Sequence, residues 1–227
     1  MSHSPLSLTV IIPTLNEAEW IASCIDNVRA RLPTAKILIV DGGSQDETIR
    51  IADDYGASVI HSSKGRGLQM HTAAQQTESD ALLFLHADTL LPNNSEQILS
   101  DYFSKPDNQI ATFRLSFDQK SWFLSACAWL TRFDTVFTRF GDQGIAIKRD
   151  FYHQIGGFPE WPLFEDVELL RIARRQTSVR SLRAYVTTSS RRFDKRGMLS
   201  QQWLNTRLLC RFLLGTSPET LAARYRS

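Results

Sequence analysis

Three short polar clusters in this 227-residue chain hold side chains able to do chemistry: Pro13-Thr14-Leu15-Asn16-Glu17, Asp41-Gly42-Gly43-Ser44 and His86-Ala87-Asp88-Thr89. Each follows an apolar, β-rich run, so each stands where a strand should end. Carboxylates from Glu17, Asp41 and Asp88 in one cleft would repel each other unless a cation or hydrogen-bond donors satisfied them. Taken alone, Asp41 also reads as a turn-forming residue before Gly-Gly, and His86 reads equally well as a satisfied structural histidine. Lys64-Gly65-Arg66-Gly67 is a basic, glycine-rich turn. It reads equally as a solvated turn or as a phosphate or base contact at a helix start, where backbone N–H groups favour anions. Glu165-Asp166 opens a helix-like pattern, where first-turn acids already complement the macrodipole. Asp46 reads as a helix N-cap and is left out of the site.

The elements that must position these clusters alternate. SLTVIIP, KILIVDGGS, SVIHS and ALLFLHAD read as strands, and 17–31, 46–55 and 67–77 as helices between them. Near-continuous apolar strands separated by helices predict an α/β fold with a mostly parallel sheet and right-handed crossovers. In such a sheet, ligands bind beyond the carboxyl ends of the strands, where the three clusters fall. Farther along, IATFRLSF predicts an alternating strand, 122–140 a long aromatic-rich helix, and GIAIKRD a strand followed by a short helix ending at Gly156-Gly157. A further helix is expected over 165–175. Residues 198–214 carry Met198, Leu199, Trp203, Leu204, Leu208, Leu209, Phe212 and Leu213 at amphipathic helical spacing. With no repeat or flexible linker, the expected organisation is one domain over 1–195 and an amphipathic helical C-terminal extension over 196–227, packed on that domain.

Composition narrows the class. At 42% hydrophobic and 22% charged residues the chain is globular, not disordered or fibrous. It has no uncharged apolar run long enough to span a membrane and nothing resembling a signal peptide. Cys24, Cys127 and Cys210 are odd in number and far apart, which predicts free, buried thiols and a cytoplasmic setting. The first βα turn lacks G-x-G-x-x-G, which counts against a dinucleotide-binding domain, and no P-loop is present, which excludes a P-loop NTPase. Net charge is only +2, but residues 1–113 carry −7 and residues 114–227 carry +9. Without a recognition motif, the basic half does not imply nucleic acid.

VIIPTLNE, VDGGSQDET, GRGLQM, FLHADT and GGFPEWPLFEDVEL, in this order over about residues 8–192, resemble the GT-A glycosyltransferases of family 2. The resemblance is closest to a short, single-domain bacterial branch with HADT in place of D-x-D. It implies an inverting transfer of a sugar from a nucleotide-diphosphate donor to an acceptor hydroxyl or phosphate. Thr14, Glu17 and Asp41 would then contact the nucleoside, and Arg66 the base or diphosphate. Asp88 would hold a divalent cation, Mn²⁺ or Mg²⁺, with His86 beside it or on the nucleotide. Asp166 would be the general base, with Glu165 next to it. Asp142 and Gln143 would lie near the donor sugar or acceptor. Of Arg191-Arg192, the resemblance assigns Arg192 to the diphosphate.

The acceptor is unspecified. The amphipathic C-terminal helix and basic tail keep a lipid-linked or anionic acceptor open, with peripheral contact at the inner membrane face. Two other readings stand beside transfer: a sugar-nucleotide-binding protein with a lapsed site, motivated by the lost first Asp of D-x-D, and a nucleotidyltransferase. The latter would need a glycine-rich signature where Pro13-Thr14-Leu15-Asn16-Glu17 stands.

Overall fold

Along Leu8–Thr14 (β1), successive side chains point to opposite sides and every residue is buried, so both faces have to be covered. The computed structural model, which describes residues 6–119, 121–135, 138–191 and 198–226, shows how. Val10 and Ile12 share one core with Ile21, Cys24, Ile25 and Val28 of α1 (Ile21–Arg31), Ala52 of α2 (Thr48–Asp54) and Leu99 and Phe103 of α4 (Ser95–Phe103). Ile11 faces the second core, with Met70 and Ala73 of α3 (Arg66–Gln75), Phe151 and Tyr152 of α6 (Arg149–Gln154), and Leu169 and Leu170 of α7 (Glu165–Ala173). The sheet is therefore sandwiched between two helical layers.

The remaining strands are β2 (Lys36–Asp41), β3 (Ser58–His61), β4 (Ala81–Phe84), β5 (Thr89–Leu90), β6 (Ile110–Phe117), β7 (Ile145–Lys148) and β8 (Arg180–Thr188). Their order is β3-β2-β1-β4-β7-β6-β8-β5. β3, β2, β1 and β4 are mutually parallel, as the alternating first half requires. β7 enters antiparallel to both β4 and β6, while β8 runs parallel to β6 and antiparallel to β5. β1 sits between β2 and β4, so the direction of winding reverses beside it and opens a crevice at the strand ends.

Several expectations change at their boundaries. The helix expected over 17–31 starts at Ile21, because Glu17 C=O already accepts from Trp20 and Ile21 in a preceding turn. ALLFLHAD is strand only to Phe84, and His86 and Asp88 lie in the turn before β5. The long helix expected over 122–140 is only α5 (Trp122–Leu130). The Thr131 hydroxyl folds back to Ala128 C=O at 2.6 Å and accepts the Leu115 N–H at 3.1 Å, and Thr138 bonds back to Phe133 C=O. Local side-chain bonds of this kind compete with helix continuation. The C-terminal pattern forms α8 (Met198–Leu213), followed by α9 (Pro218–Arg226). Leu208 and Leu209 are buried, whereas Trp203, Leu213 and Leu214 are exposed, so the apolar stripe is only partly covered. Cys24 is buried as expected, but Cys210 is exposed, and the Cys127 side chain lies outside the described residues.

One buried amide ties these parts together at the crevice. Gln69 of α3 donates from Nε2 to the carbonyls of Thr14 (2.8 Å) and Val40 (2.7 Å), pinning the ends of β1 and β2. Gln69→Met keeps the volume but removes both donors inside the core. It should lower stability by about 1–3 kcal/mol, measured by urea denaturation.

Candidate active site

Beyond β1 and β2 the backbone is locked by side chains. Asn16 takes a left-handed conformation (φ 56°), its side-chain Oδ1 accepts the Gln45 N–H at 2.8 Å, and its backbone N–H donates to Ser44 Oγ. Asp46 accepts the N–H groups of Thr48 and Ala18, so it serves the turn before α2 rather than the cleft. Asp41 is fully buried. Its carboxylate accepts from the Gly43 and Ser44 N–H groups at 2.8 Å, the Ser44 hydroxyl at 2.5 Å and the Thr14 hydroxyl at 3.2 Å. Burial pushes its pKa up, but these donors outweigh burial and hold it below the usual aspartate range. The stability this adds is complete above the unfolded value of about 3.9 and is lost as pH falls through the lower folded value. Asp41→Asn should therefore be less stable than wild type at pH 7, with the gap closing as acid denaturation is approached.

Glu17 and Asp88 meet around a cation that belongs to the protein. Arg191 Nη2 lies 2.8 Å from both Glu17 carboxylate oxygens and 3.1 Å from Asp88 Oδ2, with the guanidinium 5.6 Å from the Trp20 ring centroid. Below this loop, the Cys24 thiol points at the carbonyls of His86 and Thr89. Burial, then Asp88 and Glu17, push that thiol up to about 12, so it is a protonated packing group.

A second charged group surrounds Arg66. Its guanidinium pairs with Glu165, which is 1% exposed at the start of α7. Burial lowers the Arg66 pKa, but Glu165, Asp166 and Asp142 more than offset this and raise it. Asp166 is 7% exposed and rigidly held: Oδ2 accepts the Gly141 N–H at 2.5 Å and Oδ1 the Val167 N–H at 2.8 Å. A Cβ on Gly141 would lie 3.1 Å from Asp166 Oδ2 and 3.5 Å from His86 Nε2, so this glycine lets loop, base candidate and histidine converge. The residue before α7, Phe164, is left-handed (φ 65°), and its ring stacks on Phe212 of α8 at 5.0 Å. Backbone of this kind is costly outside glycine and persists only where surroundings hold it.

Between the β1 end and Arg66 lies a cleft of about 350 Å³, lined by Thr14, Lys64, Arg66, Gln69, Glu160 and Trp161 among others. That is within the size range of small-ligand sites. The structure thus gathers Thr14, Glu17, Arg66, His86, Asp88, Asp142, Glu165 and Asp166 around the crevice. Gln143 is fully buried, with its amide engaged by Thr138 and Thr112. Arg192 lies outside the described residues, and its neighbour Arg191 makes the contacts to Glu17 and Asp88. Lys64 belongs to the basic turn read as a solvated turn or a phosphate contact, whereas nothing in the type of Trp161 marks it as a cleft wall. Among the described residues, no three His, Cys, Asp or Glu side chains gather to hold a metal alone, and no helix is long and apolar enough to cross a membrane.

Comparison with known proteins agrees with this architecture. Residues 9–155 match Glycosyl transferase family 2. Protein RfbJ of Shigella flexneri is 37% identical over 90 residues, 39% of this chain and 68% of RfbJ. Glycosyltransferase AglJ of Haloferax volcanii is 36% identical over 87 residues, 37% of this chain, and the chain spans 28% of its length. Among solved structures, mannosyltransferase PcManGT from Pyrobaculum calidifontis, in complex with GDP-Man and Mn²⁺, superposes with a TM-score of 0.65 at 18% identity. That match covers 96% of this chain and 67% of PcManGT. S. aureus TarS 1–349 in complex with UDP-GlcNAc gives 0.67 at 15% identity, covering 82% and 59% of the two chains. The fold is GT-A, and the chain belongs to glycosyl transferase family 2.

Proposed function

We propose that this chain transfers a sugar from a nucleotide-diphosphate donor to an acceptor hydroxyl or phosphate oxygen, inverting the anomeric centre, with Asp166 as general base. The observation that carries this reading is the Asp166 carboxylate. It is nearly buried, fixed by two backbone N–H groups, and meets His86 at Gly141. Each of its oxygens keeps a second lone pair for a proton. The cleft beside Thr14, Arg66 and Trp161 has the size and mixed polar–apolar walls of a nucleoside site. Solved relatives on the same fold carry UDP-GlcNAc and GDP-Man, which supports a nucleotide-sugar donor.

In this scheme the acceptor oxygen forms a bond to the anomeric carbon as the carbon–oxygen bond to the diphosphate breaks. The electron pair leaves on the diphosphate, and the acceptor proton passes to Asp166. Arg66 and Arg191 lie where they would counter the charge of the leaving group. The donor set fits a divalent cation only if substrate oxygens complete the shell, because Asp88 offers one carboxylate and no acidic partner other than through Arg191. Such a cation, held by Asp88 with His86 nearby, would neutralise charge developing on the diphosphate. The test is release of nucleoside diphosphate from a panel of UDP-, GDP- and CDP-sugars with and without Mn²⁺. No turnover with any donor, together with nucleotide binding, would favour a lapsed-site binding protein instead.

A further inference from the structure

The cleft wall that carries Glu160 and Trp161 is anchored from below by a buried phenol. Tyr152 of α6 is fully buried, and its hydroxyl oxygen accepts the Phe158 N–H at 3.1 Å and lies 3.0 Å from Nδ1 of His71 on α3. Gly157 makes this approach possible. It is left-handed (φ 69°), and a Cβ there would lie 2.7 Å from the Tyr152 hydroxyl oxygen and 2.8 Å from His71 Nδ1. One turn before His71, on the same face of α3, a Cβ on Gly67 would lie 2.8 Å from the Pro159 carbonyl oxygen. The backbone of 157–159 therefore runs in contact with α3 between His71 and Gly67, and the next two residues leave it to line the cleft.

The hydrogens around this phenol can be assigned. Burial pushes the Tyr152 pKa up, so the hydroxyl keeps its hydrogen. Phe158 already supplies a donor, so among the described residues the acceptor that remains for the O–H is His71 Nδ1. His71 is then neutral, with its hydrogen on Nε2, which faces the Gln75 side-chain amide at 3.2 Å. The titratable groups that face His71 are Glu160 from the loop, and Tyr152 and His153 from α6. Burial holds its pKa below the usual histidine range; Glu160 opposes this and His153 adds to it.

We propose that Tyr152 and His71 are positioning residues for the donor cleft: the hydroxyl that donates to His71 and accepts from Phe158 holds the 157–161 segment against α3, and so sets where Trp161 stands against the nucleotide. The assignment rests on the cleft being the nucleotide site. Neither residue lines the cleft, so both act through the segment above them. Protonation of His71 puts a hydrogen on Nδ1. The phenol then loses its acceptor in a buried place, and the segment loses its anchor. Nucleotide affinity is therefore full while His71 is neutral and falls as the pH drops through the His71 value.

Equilibrium dialysis with UDP and GDP in the presence of Mn²⁺, on wild type, Tyr152→Phe, His71→Leu and His71→Asn, tests this at about pH 7.5 and about pH 5.5. Circular dichroism confirms that each variant is folded; His71 is only half-buried, so its variants keep the test valid if Tyr152→Phe does not fold. At the higher pH, Tyr152→Phe and His71→Leu should weaken nucleotide binding about five- to tenfold. Asparagine offers an amide oxygen near the place of Nδ1 and does not titrate, so His71→Asn should stay within about twofold of wild type. On acidification, wild type should lose about fivefold more affinity than His71→Asn, because protonation of the diphosphate weakens both alike. A merely structural role would lower stability without this rescue or this difference in pH profile. Nitrogen-15 NMR of histidine-labelled wild type should show His71 as the Nε2–H tautomer at the higher pH, with or without nucleotide. An Nδ1–H tautomer would overturn the proposal, as would unchanged affinity in Tyr152→Phe and His71→Leu, no rescue by asparagine, or parallel pH profiles. Wild-type nucleotide binding that survives intact in these variants strikes this proposal alone, whereas no binding by wild type strikes the donor reading with it.

Discussion

Asp166→Asn should lower turnover by about 10²–10⁴-fold while leaving the protein folded and its nucleotide affinity within a few-fold of wild type. Asparagine matches the shape of aspartate and can still accept the long-range Gly141 N–H through its carbonyl, giving up only the local bond from the adjacent Val167 N–H, so the loop and the start of α7 stay in register. It cannot take the acceptor proton. The loss should therefore fall on kcat, with the donor KM nearly unchanged, because an interaction made only in the transition state has been removed. Single-turnover release of nucleoside diphosphate, with nucleotide-induced thermal shifts on the same sample, separates this from misfolding. An equal loss of nucleotide binding would instead make Asp166 a donor contact, and full activity would remove it from catalysis.

The second large effect concerns Asp88. A nucleoside diphosphate present with Mn²⁺ at about 100 times its Kd should stabilise the wild type by about 2.7 kcal/mol, a rise of about 5–10 °C in Tm for a domain of this size. Asp88→Ala should abolish the Mn²⁺-dependent part of that shift. The nucleotide-only part should survive, because the cleft walls at Thr14, Arg66 and Trp161 are untouched. Asp88→Ala also frees Arg191 from one of its two carboxylates, so basal Tm should change little: Glu17 still holds the guanidinium at 2.8 Å through both oxygens. A Mn²⁺-dependent shift that persists in the variant would move the cation elsewhere.

The first half of this fold was legible because its strands are buried on both faces. LTVIIPT, KILIVD and ALLF are continuous apolar runs, and their punctuation by Pro33, Gly42-Gly43 and Gly56 falls between elements. The second half hid more. β8 reads RSLRAYVTT, with Leu182, Ala184 and Val186 inward and charged or polar residues between. Its arginines give it the look of a basic surface segment, which conceals the inward alternation. α4 carries only Leu99 and Phe103 as large buried residues, and α9 and the two-residue β5 are shorter still on signal. The overlong helix at 122–140 failed through Thr131 and Thr138, whose hydroxyl bonds cannot be read from apolar spacing.

At the candidate site, sequence order and residue type bring Thr14, Glu17, Asp88 and Asp166 to one crevice but do not disclose their engagements. Asp41 and Asp88 are both aspartates at strand ends. One has its carboxylate engaged by its own turn and by Thr14, and the other faces an arginine from 103 residues further on. Nor could spacing distinguish Arg191 from Arg192. Only the geometry that follows β8 turns Arg191 toward Glu17 and Asp88.

The stacking of Phe164 on Phe212 changes what kind of object the C-terminal region is. Phe164 is the hinge pin that sets the direction of the first turn of α7, two residues before Asp166, and it is kept in a costly backbone conformation from outside. Part of that outside support is a ring from residue 212. The tail is then a buttress: substitutions there that shrink or displace one aromatic ring act at a distance on the aim of a carboxylate they never touch.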